Sequence, residues 1–525
     1  MNTIHVLDCT LRDGGYCNGW RFGYDNAKKI TKGLLDANVE IVECGFLTNK
    51  VSYDPDITKF TKLDEIAKII PDNRDGKIFV AMMNYGEFNV DDIPVFDGSS
   101  IDGIRVAFHK KDRYEALRIS EKIKEKGYLV FIQAMVSLSY SDEEFLETIH
   151  LVNKFLPYSF YIVDSFGMMK ERDLIRLFYM IEHNLDSKIW IGFHCHNNLQ
   201  LAFSNAQKLS LLQTSRNIII DSSVYGMGRG AGNLNTELFI DYLNENAGKS
   251  YSLKPLLVII DEILNDFYQR NYWGYSLPNY ISAAHNAHPN YAGYLDDKKT
   301  LTIESMNEIF DLMEEEKKAS YDKSYIEELY LQYMGRRKIE SERRSELRES
   351  LEDKTILLVA PGKSSIAERE KIIQYANGKD VVVISVNHSY TELVPDYIFV
   401  SNLRRFRELK KRDIQKSIIT SNISSNDAFI QTDYRALLNH EEAVSDNAGL
   451  MAIKFLMDYK VKKILLAGFD GYSHDETENY GRSDMAFITR NAVLDAINIG
   501  MSNVLREYSM VLSIQFITAT KHVFL

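Results

Sequence analysis

Cysteine is scarce: the 525-residue chain holds four, Cys9, Cys17, Cys44 and Cys195. Their spacings match neither a metal knuckle nor a disulfide framework, so reduced cytosolic thiols are expected. Long apolar runs are missing too. No stretch approaches the roughly 20 apolar residues of a bilayer-crossing helix, and the N-terminus has no basic segment leading into an apolar core. A cytoplasmic location without a membrane partner is therefore expected. Positive charge is in deficit: 62 Lys and Arg stand against 74 Asp and Glu, giving a formal net charge of -12 and a pI near 5.6. That excludes general attraction to nucleic acid or anionic lipid, while a local basic pocket can still take a small anion. Neither an internal repeat nor a low-complexity tract is present.

What the chain does have is length and apolar content. Its 45% hydrophobic residues suffice for two or more buried cores. Up to about residue 240, short β-branched or apolar runs alternate with longer segments of helical period, the pattern of repeated βα units. The runs fall at 4–8, 39–44, 77–83, 101–108, 128–135, 160–164, 188–194 and 217–222. Eight strands alternating with helices is the count of a TIM (β/α)8 barrel. Most runs also end in residues able to do chemistry: Asp8 leading to Arg12 and Asp13, then Glu43, Asn84, His109, Gln133, Asp164, His194 and Asp221. In a barrel those ends share one face, where the site is built.

The strand pattern stops after about 250, where helix-forming sequence takes over, including 303–318 and 325–334. An aromatic-rich segment there carries His285, His288 and Tyr291, and dense mixed charge follows from Arg336 to Lys354. At Thr355 a second α/β pattern begins, with strands expected at 355–360, 381–386, 397–400, 417–420 and 463–467 and a helix over 448–459. The expected fold class is α/β: a barrel domain over 1–245, a helical extension and charged linker over 246–350, and a smaller Rossmann-like domain over 355–525.

Residues two apart on a strand share a face, so His194 and His196 can reach one ion while Cys195 points the other way. With the Asp13 carboxylate they make a mixed N/O set that suits a divalent metal, Mn²⁺ or Mg²⁺ ahead of Co²⁺ or Zn²⁺, with positions open for substrate oxygens. The glycine-rich run from Tyr225 to Asn233 lets backbone approach a ligand, and the Asn233 carbonyl is a candidate to complete the shell.

Three motifs in this order, Leu7-Asp8-Cys9-Thr10-Leu11-Arg12-Asp13-Gly14, Gly192-Phe193-His194-Cys195-His196-Asn197-Asn198 and Gly230-Ala231-Gly232-Asn233, resemble the DRE-TIM metallolyases. That superfamily contains hydroxymethylglutaryl-CoA lyase, isopropylmalate synthase and 4-hydroxy-2-oxovalerate aldolase. The resemblance implies a TIM barrel with Asp13, His194 and His196 as metal ligands and Asn233 as a fourth. It also implies that Arg12 stabilises an enolate, with Glu43 positioning Arg12 or substrate. A 2-oxo acid such as pyruvate can chelate an ion through its carboxylate and keto oxygens, and a guanidinium can hold the enolate charge. The sequence departs from its relatives at Tyr16, which stands where the pyruvate aldolases carry a histidine base, and tyrosine titrates far above neutrality. His285, His288 and Tyr291 are further candidates for the proton shuttle. The lyases' catalytic cysteine is absent from the glycine loop, which puts the aldolase ahead of the acyl-CoA lyase. A Claisen-type synthase and a non-catalytic metal-binding scaffold are the alternatives.

The second domain has no Walker loop: Pro361-Gly362-Lys363-Ser364-Ser365 follows a strand without the Gly-x-x-x-x-Gly-Lys spacing. Its order of strand ends resembles bacterial sialyltransferase-like and flagellin-modification glycosyltransferase-like domains, which bind CMP-activated sugars. That resemblance implies a nucleotide pocket at Gly362, Ser364, Asn387, Asn447 and Asp470, with His474 as a catalytic candidate. A two-module enzyme is expected, joining aldol chemistry on a small anionic 2-oxo acid to a nucleotide-activated sugar, as bacterial surface polysaccharide synthesis would use. A homo-oligomer is expected.

Overall fold

A computed structural model describes residues 3–298, 300–335, 343–390, 393–482 and 489–522. The chain divides into two compact units, Met1–Gly293 with Met313–Tyr321, and Tyr294–Leu312 with Asp322–Leu525. The helical segment expected between barrel and second domain is thus shared between the two. The helix expected over 303–318 is broken into Ile303–Asp311 and Glu315–Lys318, and the unit boundary falls in that break.

The first unit contains β1 (Ile4–Asp8), β2 (Ile41–Leu47), β3 (Lys59–Phe60), β4 (Ile78–Asn84), β5 (Gly103–Phe108), β6 (Leu129–Ala134), β7 (Ser159–Asp164), β8 (Trp190–Cys195) and β9 (Ile218–Ser222). All pairings are parallel, and β1 pairs with both β9 and β2, so eight strands close into a barrel with the two-residue β3 outside β2. These strands are buried on both faces, which is why they read as near-continuous apolar runs. Leu7, Ile41, Val80, Phe131, Tyr161 and Ile219 fill the inside. A larger core lies between the strands and the surrounding helices. Tyr24–Asp36 shows how those helices dock: Ala27, Ile30, Thr31, Leu34 and Leu35 make one buried stripe at helical spacing.

One irregularity bears on the site. In β2 the register against β4 shifts between Glu43 and Phe46, a bulge that re-aims the strand end. Glu43 stays buried, and Phe46 joins Met82 and Ala107 in a separate apolar cluster.

The second unit holds a seven-stranded parallel sheet: β10 (Thr355–Val359), β11 (Val381–Val386), β12 (Tyr397–Val400), β13 (Ser417–Thr420), β14 (Ile430–Thr432), β15 (Lys463–Ala467) and β16 (Ile514–Phe516). The order is β14-β13-β12-β11-β10-β15-β16, so the chain walks out from β10 and then returns to its other side. That reversal between β10 and β15 is the topological switch point of a doubly wound sheet. The two strands not anticipated from the sequence, β14 and β16, are three residues each. Among the described residues no helix is long and apolar enough to cross a membrane.

Candidate metal centre

Beyond β1 the chain turns at once into a single helical turn, Thr10–Asp13. Its conformation is pinned from several sides. The Asp8 carboxylate accepts the Thr10 N–H at 2.9 Å and the Thr236 hydroxyl at 2.7 Å. Thr10 Oγ1 accepts the Val224 N–H at 2.8 Å, Thr58 donates to the Leu11 carbonyl at 2.7 Å, and Trp20 Nε1 donates to the Arg12 carbonyl at 2.8 Å. The turn therefore carries Arg12 and Asp13 into the barrel mouth, where they are 5% and 1% exposed.

There Asp13 meets His194 and His196. One ligand atom from each lies within 4.8 Å of the others, and all three residues are buried. Cys195 belongs to the outer core, as strand alternation requires. His194 Nδ1 is 2.9 Å from Asp221 Oδ2, which fixes the proton on Nδ1 and leaves Nε2 free as a donor atom for a metal. His196 is held neutral, its pKa lowered to about 3 by burial against the opposing pull of Asp13. Burial alone would raise the Asp13 carboxyl, but the adjacent Arg12 guanidinium holds it well below the usual carboxylate range. A neutral imidazole at His196 and an ionised carboxylate at Asp13 are protonation states that a divalent ion needs.

Other atoms around the cluster fit an ion as well. Asn233 donates through Nδ2 to Asp13 Oδ2 at 2.7 Å, while its Oδ1 is buried without a hydrogen-bond partner, as is His196 Nδ1. A buried acceptor without a donor is costly unless something fills the site. Gly228 closes the cradle: a Cβ there would sit 2.4 Å from Asn233 Nδ2 and 2.8 Å from Asp13 Oδ2.

A chain of buried ion pairs links two of the ligands. Arg12 pairs with Asp13 and donates from Nε to Glu43 Oε2 at 2.9 Å. The same Glu43 oxygen lies 2.9 Å from Arg105 Nη1, Arg105 pairs with Asp221, and Asp221 holds His194. Three carboxylates against two guanidiniums leave one net negative charge to balance an incoming cation. Sequence reasoning missed Arg105. Its signal was an arginine in the middle of the apolar β5, since a fully buried guanidinium requires counter-charges.

The remaining candidates are distributed differently. Tyr16 is 43% exposed, edge-on to Trp20 at 4.7 Å, with the Arg229 guanidinium 5.4 Å above its ring. Tyr291 is fully buried, and its hydroxyl faces the Lys317 and Ser320 carbonyls, both at 2.8 Å. Both carbonyls belong to its own helical region. His285 is the C-cap of the helix Leu277–Ala284. His288 reaches the loop after β7, packing edge-on to Phe166 at 5.4 Å, and its Nδ1 accepts the Asn290 N–H at 3.2 Å. Burial, then Arg229 and His109, lowers its pKa to about 3.

In the second unit Gly362, Ser364 and Asp470 do come together. The Ser364 N–H donates to Asp470 Oδ2 at 2.7 Å, its hydroxyl also pairs with Asp470, and a Cβ at Gly362 would lie 2.3 Å from the Gly468 carbonyl. Asp470 thus occupies the Ser364 N–H at the start of the helix Ser364–Ala367. Asn387 accepts from Ser401 at 3.2 Å, and Asn447 caps its own helix through the Gly449 and Leu450 N–H groups. His474 Nε2 lies 2.8 Å from Asp495.

The HMGL-like family profile matches residues 3–255. A 4-hydroxy-2-oxovalerate aldolase from Geobacillus genomosp. 3 is 29% identical over 246 residues, 46% of this chain and 70% of that protein. The protein of the same name from Pseudoalteromonas translucida (strain TAC 125) is 26% identical over 249 residues, 47% of this chain and 70% of its own. Among solved structures, the HMG-CoA lyase from Brucella melitensis aligns at 14% identity and a TM-score of 0.40, over 51% of this chain and 98% of that one. The carboxyl transferase domain of Rhizobium etli pyruvate carboxylase aligns at 14% and 0.46, over 59% and 56%. The barrel with its Asp13, His194 and His196 cluster, residues 3–255, is an HMGL-like domain, and the sequence relatives of this region are named as 4-hydroxy-2-oxovalerate aldolases.

Proposed function

We propose that the barrel is a divalent-metal-dependent carbon–carbon lyase, an aldolase that works through the enolate of a pyruvate-like 2-oxo acid. The observation that carries this reading is the state of Arg12. Its Nε is bonded to Glu43 and its Nη1 to Asp13, while Nη2 is buried with no partner. One cationic donor is therefore left open beside the three ligands. The names of the relatives supply the substrate class.

Asp13, His194, His196 and the Asn233 amide oxygen would hold the ion, Mn²⁺ or Mg²⁺ by preference for this N/O set, and it would supply Lewis-acid polarisation of a carbonyl oxygen. Arg12 donates from Nη2 to the oxygen on which negative charge grows, and one such preorganised donor is worth about 3 kcal/mol in the transition state. Glu43 and Asp13 keep that guanidinium from swinging. Phe46, with its ring centroid 5.9 Å from the Arg12 guanidinium, excludes water from one side of it. Gln133 on β6 has a second buried donor, Nε2, without a partner, and is assigned to the substrate carboxylate. Tyr16, at the mouth of the turn, is assigned the proton transfer that its relatives give to histidine.

The test is exchange of pyruvate methyl protons into deuterated water in the presence of Mn²⁺. The wild type should exchange and Asp13→Asn should not. A folded, metal-loaded wild type that exchanges no protons overturns the reading. For the second unit we propose a module that handles a nucleotide-linked sugar, which would suit surface polysaccharide synthesis. Its parallel sheet with a switch point supports this, and calorimetry with CMP on the full chain tests it.

A further inference from the structure

The glycine-rich loop after β9 carries one charged side chain that has no part in the metal centre, Arg229. Its backbone position is fixed. Gly228 beside it packs against Asn233 and Asp13. Asn198, 1% exposed, ties this loop to the one after β7, accepting the Ala231 N–H at 2.8 Å and donating to the Phe166 carbonyl at 2.9 Å. The guanidinium bridges the same two loops, donating from Nη2 to the Ser165 carbonyl at 3.0 Å, and it lies 5.4 Å from the Tyr16 ring. Arg229 therefore stands at the rim of the barrel mouth, between the turn after β1 and the loop after β7.

Both of those partners are neutral. Arg12 and Arg105, deeper in the same barrel, each face two carboxylates. Among the described residues Arg229 has no carboxylate at ion-pair distance, and its Nε is buried without a hydrogen-bond partner. A carbonyl on one N–H leaves the charge uncompensated, and a buried donor without an acceptor is costly until something fills the site. The neighbouring imidazoles add no second charge: burial, with Arg229 itself, keeps His288 and His109 below their usual pKa. A rim with one guanidinium and no counter-ion matches a single planar carboxylate.

We propose that Arg229 selects the aldehyde partner of the aldol reaction, taking a partner that carries a carboxylate of its own, so that the aldol product is a 4-hydroxy-2-oxo diacid. This rests on the aldolase reading and adds to it the class of the second substrate. In the cleavage direction the C3–C4 bond of the diacid breaks and the C4 hydroxyl gives up its proton as C4 becomes the aldehyde carbon. The electron pair of the broken bond stays with C3 as the enolate, which then takes up a proton to give pyruvate. Arg12 and Gln133 serve the 2-oxo end, and Arg229 holds the far carboxylate without touching the reacting atoms.

Calorimetry of the Mn²⁺-loaded full chain with 2-oxoadipate and 2-oxohexanoate tests this. The two probes share the 2-oxo acid head and the chain length and differ only in the far carboxylate. The wild type should bind 2-oxoadipate at least about tenfold more tightly, as one charge-assisted bond provides. Arg229→Gln should bind the two probes alike, and Arg229→Lys, which keeps the charge but loses the fork, should retain part of the preference. Each comparison is made within one protein, so a loss common to both probes cancels. Equal binding of both probes by the wild type, or a preference that survives Arg229→Gln, overturns the proposal and leaves the aldolase reading standing. Binding of neither probe by the wild type also overturns it, and the pyruvate proton exchange, which needs no aldehyde, decides separately whether the aldolase reading falls too.

Discussion

His194 Nδ1 and Arg105 both engage one oxygen of Asp221, Oδ2, so a single carboxylate orients an imidazole of the candidate metal centre and neutralises a fully buried guanidinium. Asp221→Asn keeps the shape but offers neither the imidazole nor the guanidinium a full negative charge. Outer-shell partners of this kind typically govern about 10- to 100-fold in metal affinity. Mn²⁺ affinity, measured by calorimetry, should fall within that range, and an unchanged affinity would remove Asp221 from the centre.

Glu43 has the same economy on the other side, since its Oε2 lies 2.9 Å from both Arg12 Nε and Arg105 Nη1. Glu43→Ala leaves two buried cations facing a cavity. Removing one partner of a buried pair costs about 3–5 kcal/mol. The urea midpoint of the metal-free protein should drop accordingly. A surface-sized loss of well under about 1 kcal/mol would mean that water enters and screens the pair.

Arg12→Lys retains the charge but cannot reach Glu43, Asp13 and an oxygen with one fork. If Nη2 is the donor that acts in the transition state, kcat for proton exchange should fall by about 10²–10³ with little change in KM. A rise in KM at unchanged kcat would place Arg12 in ground-state binding instead.

How far these relationships could be read in advance depended on distance along the chain. Asp13, His194 and His196 were legible because ligand chemistry sits in short motifs and because alternation puts two histidines on one strand face. The barrel strands were legible because both of their faces are buried. Arg105 and Asp221 are 116 positions apart, and nothing local pairs them. Tyr291 shows the same dependence: the Lys317 and Ser320 carbonyls that its hydroxyl faces come from residues well downstream, which nothing beside it in the sequence indicates. The three-residue strands β14 and β16 are too short to show a period.

Asp8 supplies a pH signature outside the ligand set. Burial raises its pKa from the usual 3.8 to about 6, against the hydrogen bonds from Thr236 and Thr10. The folded protein thus binds a proton at Asp8 that the unfolded chain releases near pH 4. The stability this contributes is complete below that pH and is lost as pH rises through about 6. Asp8→Asn should flatten this slope, so that wild type and variant converge or cross between about pH 4.5 and pH 7 in urea titrations. Parallel curves for the two proteins would show that Asp8 is ionised throughout.

At Gly228 the space a side chain would take is filled by Asn233 and Asp13, two members of the proposed metal centre. Its backbone is not in the left-handed region, so alanine carries no conformational penalty there and the effect of Gly228→Ala is purely one of contact. A methyl group 2.4 Å from Asn233 Nδ2 and 2.8 Å from Asp13 Oδ2 must push one or both aside. Displacing them separates the Asn233 oxygen and the Asp13 carboxylate from the His194 imidazole, which stays in β8. Mn²⁺ affinity should fall by roughly tenfold or more, as for loss of a positioned ligand. Gly293→Ala, where a Cβ has nothing within 4 Å, should bind Mn²⁺ like the wild type. Equal affinity in both variants would mean that Asp13 and Asn233 move without consequence, and the centre would then be carried by His194 and His196 alone.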